Sequence, residues 1–268
     1  MSIPAPSDRT TAVVTGASSG IGAALALQLA ERGHHVTVVA RRADRLEELA
    51  DRVRAQHGTG VRVLACDLAD PAERAGLVAA LDDGRRQVSV LANNAGFATG
   101  GHFARTDVDR EVEQVRVLVE AVVHLTGALV PSMVARHRGA ILNVASTAGF
   151  QPLPWSAGYA AAKAHTLAFS EALHHELGHS GITVTALCPG PVRTEFWQVA
   201  GDQPIKRAMP RPMWVATEDV AAAGLRGLEK GRRVVVPGAA VRLSGLGARW
   251  APHGIQLKVL GRAMRPAR

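Results

Sequence analysis

The chain has 268 residues, 47% of them hydrophobic and 20% charged, a composition that can bury a core and excludes intrinsic disorder. That length fits one large α/β domain or two small ones. The formal net charge of +8 gathers at the end: residues 226–268 hold ten basic residues and one acid, which leaves the rest at −1. A near-neutral body with no recognition motif excludes nucleic acid as a partner.

The opening stretch MSIPAPSDRTTAVV lacks a basic segment followed by an apolar one, so it does not read as a signal peptide. Apolar runs are broken within about a dozen residues, too short for a membrane-spanning helix. TAVVT (11–15) reads as a buried strand, followed by a glycine-rich turn and a helix through Arg32. HVTVVA (35–40) is a second strand, and ADRLEELADRVRAQH (43–57) its helix. VRVLAC (61–66) is the third strand, and Pro71 opens a helix through about Leu81. VSVLAN (88–93) precedes a long helical segment over about 107–136, bent or split by Pro131. AILNVAS (140–146), a helix over about 156–178, ITVTALC (182–188), a helix over 218–230 and RVVVP (233–237) complete the series. Strands apolar on both faces and separated by helices predict a Rossmann-type, doubly wound α/β sheet of about seven mainly parallel strands. The expected division is one dinucleotide-binding domain over 1–237, with a lid at about 191–216, and a basic tail over 238–268.

Chemistry concentrates at a few of these joints. TGASSGIG (15–22) places Gly16, Gly20 and Gly22, with Ser18, Ser19 and Ile21 among them, between the first strand and first helix. Glycines there let backbone approach a pyrophosphate, and the helix start offers free N–H groups. The second strand ends at Ala40 and is followed by Arg41 and Arg42, with no acid at 40–42. An acid at that place binds the 2′-hydroxyl of NAD, whereas arginine accommodates the 2′-phosphate of NADP, so NADP(H) is the expected cofactor. Asp67, with Leu68 after it, ends the third strand, where its carboxylate could accept from an adenine amino group. The chain's single tyrosine, Tyr159, precedes Lys163 by four residues, and lysine supplies only four of 31 basic residues. On a helix this spacing puts phenol and ammonium on one face, a proton donor with an electrostatic tuner. Cys66 and Cys188 each end an apolar run and read as buried, inert thiols of a cytoplasmic protein. His175 and His179 could pair on a helix, but no third ligand accompanies them, and no metal is expected.

TGASSGIG at 15–22, NNAG at 93–96, Ser146, YAAAK at 159–163 and PG at 189–190, in that order, closely resemble the short-chain dehydrogenase/reductase family over about residues 10–236. The resemblance implies hydride transfer between a nicotinamide and a carbonyl or alcohol. It implies that Asn94, Ala95 and Gly96 pass beneath the adenosine ribose, and that Ser146 hydrogen-bonds the reacting oxygen. Tyr159 would deliver the proton. Lys163 would hold the nicotinamide ribose and lower the tyrosine pKa, and Pro189, Gly190, Val192 and Thr194 would border the nicotinamide. A homodimer or homotetramer built through the long helices is implied in the same way. One position departs: Leu118 stands where the family has an asparagine thought to bend a helix and hold a proton-relay water, which predicts a reduced or altered relay. It also keeps open an alternative, a catalytically weak or non-catalytic regulatory protein that retains the fold.

Most of the few aromatics fall near the expected lid. Phe196, Trp197, Met209, Met213 and Trp214 sit among Pro204, Pro210 and Pro212, with Phe97, Phe150 and Trp155 as further candidates. Such a lid predicts a small apolar substrate, a lipophilic ketone or secondary alcohol. In the tail, Lys258, Arg262 and Arg265 recur at helical spacing opposite Ile255, Val259 and Ala263. That pattern suggests a basic amphipathic helix for an anionic membrane surface or an acidic acyl carrier, or else a solvated tail.

Overall fold

The computed structural model describes residues 3–196, 210–250 and 252–263. Its strands are β1 (Thr10–Thr15), β2 (His35–Ala40), β3 (Val61–Ala65), β4 (Gln87–Asn93), β5 (Gly139–Val144), β6 (Ile182–Leu187) and β7 (Val234–Val235). They form one sheet in the order β3-β2-β1-β4-β5-β6-β7, every pair parallel. The helices are α1 (Gly20–Glu31), α2 (Ala43–His57), α3 (Pro71–Leu81), α4 (Val108–Val115), α5 (Ala121–Ala135), α6 (Ala157–Gly178), α7 (Thr217–Glu229), α8 (Ala239–Trp250) and α9 (His253–Ala263).

Alternation along the strands explains why both faces are apolar. Val14, Val38, Val90 and Leu142 point to one side, against Leu25 and Leu29 of α1 and Val220 and Leu225 of α7. Their neighbours Val13, Val39, Leu91 and Ile141 point to the other, against Leu77 of α3 and Leu125, Leu129 and Met133 of α5. Each layer removes a continuous hydrocarbon surface from water, at about 25 cal/mol per Å². Helix ends follow local chemistry. Asp70 accepts from the N–H groups of Ala72 and Glu73 with Pro71 in the first turn of α3. Gly58 ends α2 in the left-handed region at φ 64°.

The long helical segment is broken, but not at proline. Pro131 lies inside α5, whereas Arg116–Glu120 forms a π-helical turn between α4 and α5. The wider turn presents the Leu118 carbonyl to Thr166, whose hydroxyl donates to it at 3.2 Å. The whole stretch Val108–Ala135 is long and apolar enough to cross a membrane by length and composition, contrary to the expectation from uninterrupted runs. In the fold it is a core helix: Leu118, Leu125 and Met133 are fully buried.

Past residue 237 the chain makes two more helices, α8 and α9. Val241 of α8 is 1% exposed, and a Cβ on Gly190 would come within 2.7 Å of it. Gly245 lies over the ring of Phe150. Leu260 of α9 packs on the cluster of Leu153 and Ala160. Residues 264–268, with Arg265 of the basic pattern, lie outside the described residues, as do Trp197, Pro204 and Met209 of the expected lid.

Candidate active site

Strand order reverses at β1, which has β2 on one side and β4 on the other. Connections leave in opposite directions there and open a crevice at the carboxyl ends of the strands. Polar bonds fix its floor. Thr15 Oγ1 accepts from the N–H groups of Asn94 at 3.0 Å and Ala95 at 3.1 Å. The Asn94 amide donates to the carbonyls of Thr15 and Gly16 at 2.9 and 3.2 Å. The backbones after β1 and β4 therefore approach too closely for side chains. Gly16 has φ +65°, and a Cβ on it would stand 2.6 Å from Ala95 Cα.

A cavity of about 540 Å³ runs from this crevice along the strand ends. Every cofactor and catalytic residue nominated from the sequence lines it except Gly22. Gly22 instead faces the turn itself: a Cβ there would meet the Gly16 carbonyl oxygen at 2.3 Å and the Asn94 amide at 2.5 Å. There it serves close packing of the helix start on the turn that follows β1. No side chain caps the start of α1, and no acid stands in its first turn. Uncapped N–H groups, a positive helix end and glycines that leave room above them suit a pyrophosphate.

At the adenosine end both arginines line the cavity, and both hold acids. Arg42 donates from Nε and Nη2 to Ser18 Oγ at 3.3 and 3.0 Å, from Nη2 to Ser19 Oγ at 3.2 Å, and from Nη1 to Glu195 Oε2 at 3.0 Å. Arg41 donates to Glu113 Oε1 at 3.2 Å, with Asp67 Oδ2 3.8 Å away. Asp67 also accepts from the N–H of Ala69 at 2.9 Å. The serines and guanidinium groups supply donors fit for a phosphate; Glu195 and Glu113 were not found from the sequence. They lie 153 and 72 residues from their arginines, and no local pattern marks such pairs. Cys66 also lines the cavity, and burial pushes its thiol up to about 11, so it stays protonated and inert.

The other end carries Ser146, Tyr159 and Lys163. Ser146 leaves β5 in extended backbone and starts a 3₁₀ turn, its Oγ accepting from the N–H of Ala148 at 3.1 Å. Tyr159 and Lys163 share one face of α6, and Tyr159 lines the cavity together with Ser146, whose side chain lies near enough to favour the ionised phenol. Burial pushes the phenol up to about 12, and Ser146 offsets only part of that. The net direction is the reverse of the one expected from the Tyr–Lys pair. The Lys163 ammonium is turned onto the Val144 carbonyl at 2.7 Å and stands 5.8 Å from the Tyr159 ring centroid. Lys163 is itself buried, which lowers its pKa to about 8. Leu118 stands close by: a Cβ on Gly96 would lie 2.6 Å from Leu118 Cδ2 and 3.8 Å from Lys163 Nζ. The Leu118 carbonyl accepts from the Thr166 hydroxyl.

Phe196 sets its ring 5.6 Å from that of Tyr159, and Thr194 faces Gly20 at the phosphate turn. The lid base is pinned by a parallel bridge between Val192 and Val215. Gln151, Leu153 and Ser156, unnoticed in the sequence, also line the cavity. Their one signal was position, between Ser146 and Tyr159. Phe97 lines it too, under the Arg110 guanidinium at 3.9 Å. Phe150 and Trp155 do not line it: Phe150 supports α8, and Trp155 packs on His102 with ring centroids 5.4 Å apart.

An oxidoreductase working with a nicotinamide dinucleotide is the class of protein that such a cleft serves. Comparison with known proteins narrows it. The model of the short chain dehydrogenases matches residues 10–204. A sulfoacetaldehyde reductase of Chromohalobacter salexigens is 38% identical over 213 residues, 78% of this chain and 83% of that protein. A short-chain dehydrogenase of Sphingobium yanoikuyae, solved in complex with NADPH, is 34% identical with a TM-score of 0.80, covering 97% of this chain and 98% of that one. The bulky-bulky ketone specific alcohol dehydrogenase of Comamonas testosteroni is 28% identical with a TM-score of 0.76, covering 98% and 97%. The chain belongs to the short-chain dehydrogenase/reductase family and is an NAD(P)-dependent oxidoreductase.

Proposed function

We propose that the protein is an NADP(H)-dependent oxidoreductase for a lipophilic ketone or secondary alcohol, with Ser146, Tyr159 and Lys163 as its catalytic residues. The observation that carries this reading is the convergence of Ser146, Tyr159 and Lys163 on one cavity that also holds the glycine turn and both arginines. Ser18, Ser19, Arg41 and Arg42 would hold the 2′-phosphate end, and Asn94, Gly96 and Lys163 the ribose groups. The cofactor, when bound, supplies or accepts the hydride. The chain's own residues handle charge and proton. As a carbonyl is reduced, negative charge grows on its oxygen; Ser146 donates a hydrogen bond to it and the Tyr159 hydroxyl gives up its proton. A phenol held near 12 keeps that proton at neutral pH until the growing alkoxide, a stronger base, takes it. Lys163 then stabilises the phenolate left behind. Phe196, Phe97 and Leu153 make the substrate wall apolar and exclude water. NADPH as the bound form favours reduction.

Supporting the cofactor is the NADPH complex of the Sphingobium relative, and supporting a bulky ketone is the Comamonas enzyme. The test is NADPH consumption against ketones of graded chain length and bulk, with Tyr159→Phe as control. Turnover that rises with apolar bulk and falls at least about 100-fold in the variant is expected. Turnover confined to small polar carbonyls, or unchanged in the variant, overturns the reading. Leu118 favours a second reading, a weak or non-catalytic nucleotide-binding protein; it wins if no carbonyl compound is turned over while NADPH still binds.

The same proposal covers assembly and place. Phe103 in the 3₁₀ turn ahead of α4, Val108, Val112 and Val115 on α4 and Val123 on α5 are large apolar residues left exposed, and a second copy would cover them. On α8 and α9, exposed Leu243, Leu257 and Val259 stand among exposed Arg242 and Lys258, a pattern suited to transient contact with an anionic membrane or carrier. Two buried, free cysteines suit the reducing cytoplasm.

A further inference from the structure

The donor cluster at the phosphate turn is already satisfied by the chain itself. Ser18 Oγ, Ser19 Oγ and the Arg42 guanidinium converge, and the Glu195 carboxylate closes the ring on Arg42 Nη1 at 3.0 Å. Arg42 thereby faces two hydroxyls and one anion, a donor set that also fits a phosphate monoester. Hydrogen bonding to Arg42 first, then that arginine's charge, Ser19 and the charge of Arg45, hold the Glu195 carboxyl below the usual range; it is ionised at neutral pH. Glu195 sits on a short strap: Thr194 before it faces Gly20, and Phe196 after it meets the Tyr159 ring at a tilt of 55°. Its anchor is fixed by the Val192–Val215 bridge, so the carboxylate is presented to Arg42 by the fold rather than by a free loop tip.

We propose that Glu195 is a specificity-determining residue, an internal anion that occupies the donors a cofactor 2′-phosphate would take and must be displaced when that phosphate binds. This rests on the NADP(H) reading above and adds to it a built-in competitor. The 2′-hydroxyl of an unphosphorylated adenosine has no claim on Arg42 and leaves the pair intact. Discrimination between the two cofactors is therefore set by the balance between two anions on Arg42, not by the presence of arginine alone. The pair is partly exposed, with 45% and 37% of the two side chains accessible, and water weakens it accordingly.

The test is equilibrium binding, by calorimetry, of NADPH, NADH, adenosine 2′,5′-bisphosphate and 5′-AMP to the full chain and to Glu195→Gln, Arg42→Ala and the double variant. Glu195→Gln should tighten NADPH and the bisphosphate by about 5-fold, the effect of releasing one discounted surface ion pair, and leave NADH and 5′-AMP within about 2-fold. In the Arg42→Ala background, Glu195→Gln should gain nothing. NADPH bound by the parent but unchanged or weakened in Glu195→Gln overturns this inference and leaves the NADP(H) reading standing. A parent and variants that all bind NADPH no better than NADH overturn both. Thermal midpoints of the ligand-free variants, recorded alongside, identify any loss of binding that comes from unfolding.

Discussion

The ammonium of Lys163 donates to the backbone carbonyl of Val144 at 2.7 Å, at the end of the strand that leads to Ser146. A buried cation held by a neutral carbonyl is an expensive arrangement, and its ionisation reports on it directly.

Lys163 titrates near 8 in the folded chain and about 10.4 when unfolded. Between those values the unfolded state binds more protons, so stability rises with pH. The desolvation penalty is fully present below pH 8 and relieved towards pH 10. Urea midpoints of the parent measured against Lys163→Met should show the parent gaining roughly 3 kcal/mol relative to the variant over that window. A difference that is flat from pH 7 to 10 contradicts the burial of the charge. Tyr159 acts with the opposite sign above this window. Its folded value of about 12 keeps a proton that the unfolded phenol loses near 10, so its contribution falls as pH rises between them.

Gly22→Ala separates packing from contact. The added methyl meets the Gly16 carbonyl at 2.3 Å, and backbone cannot step aside cheaply. A loss of about 2 kcal/mol or more is expected, read as a lower thermal midpoint, with cofactor affinity falling because the Gly16 turn is pushed out of place. A neutral midpoint would show that α1 can slide.

Leu118→Asn installs the asparagine that the family resemblance places at this position. At 1% exposure the amide would enter a buried, largely apolar site beside Gly96 and near the Lys163 ammonium, costing about 2–4 kcal/mol. The thermal midpoint should drop, and turnover at a temperature where the variant is folded should not rise. A rise in turnover would mean that the missing amide limits proton relay.

Val112→Glu addresses assembly. The side chain is exposed on α4 between Val108 and Val115, so the monomer should tolerate it within about 0.5 kcal/mol. Sedimentation should then find a smaller species than for the parent. An unchanged mass would place the contact elsewhere.

What could be read from sequence follows from how far each signal reaches. Strands such as TAVVT and ITVTAL were legible because both faces are buried, which leaves an unbroken apolar run. The site was legible where motif residues sit at strand ends, as Gly16, Asn94 and Ser146 do. The π-turn at 116–120 was not: it sits in an unbroken helical pattern, and the residue that meets its Leu118 carbonyl, Thr166, lies 48 residues away. Nor was the reversal at Tyr159: spacing placed phenol and ammonium on one helix face, but burial raises the phenol's pKa instead of lowering it. The Arg42–Glu195 pair belongs to the same class, a meeting made by topology and left unmarked by either local sequence.

Val241 closes on Gly190, and Gly245 lies over Phe150. The last helices thus buttress the cavity from behind, because Gly190 lines it and Val241 packs on the far side of Gly190. Trimming the chain ahead of residue 239 would take that backing away from Gly190 and Phe150 and leave apolar surface bare, so a shortened form should lose stability before it gains anything in size.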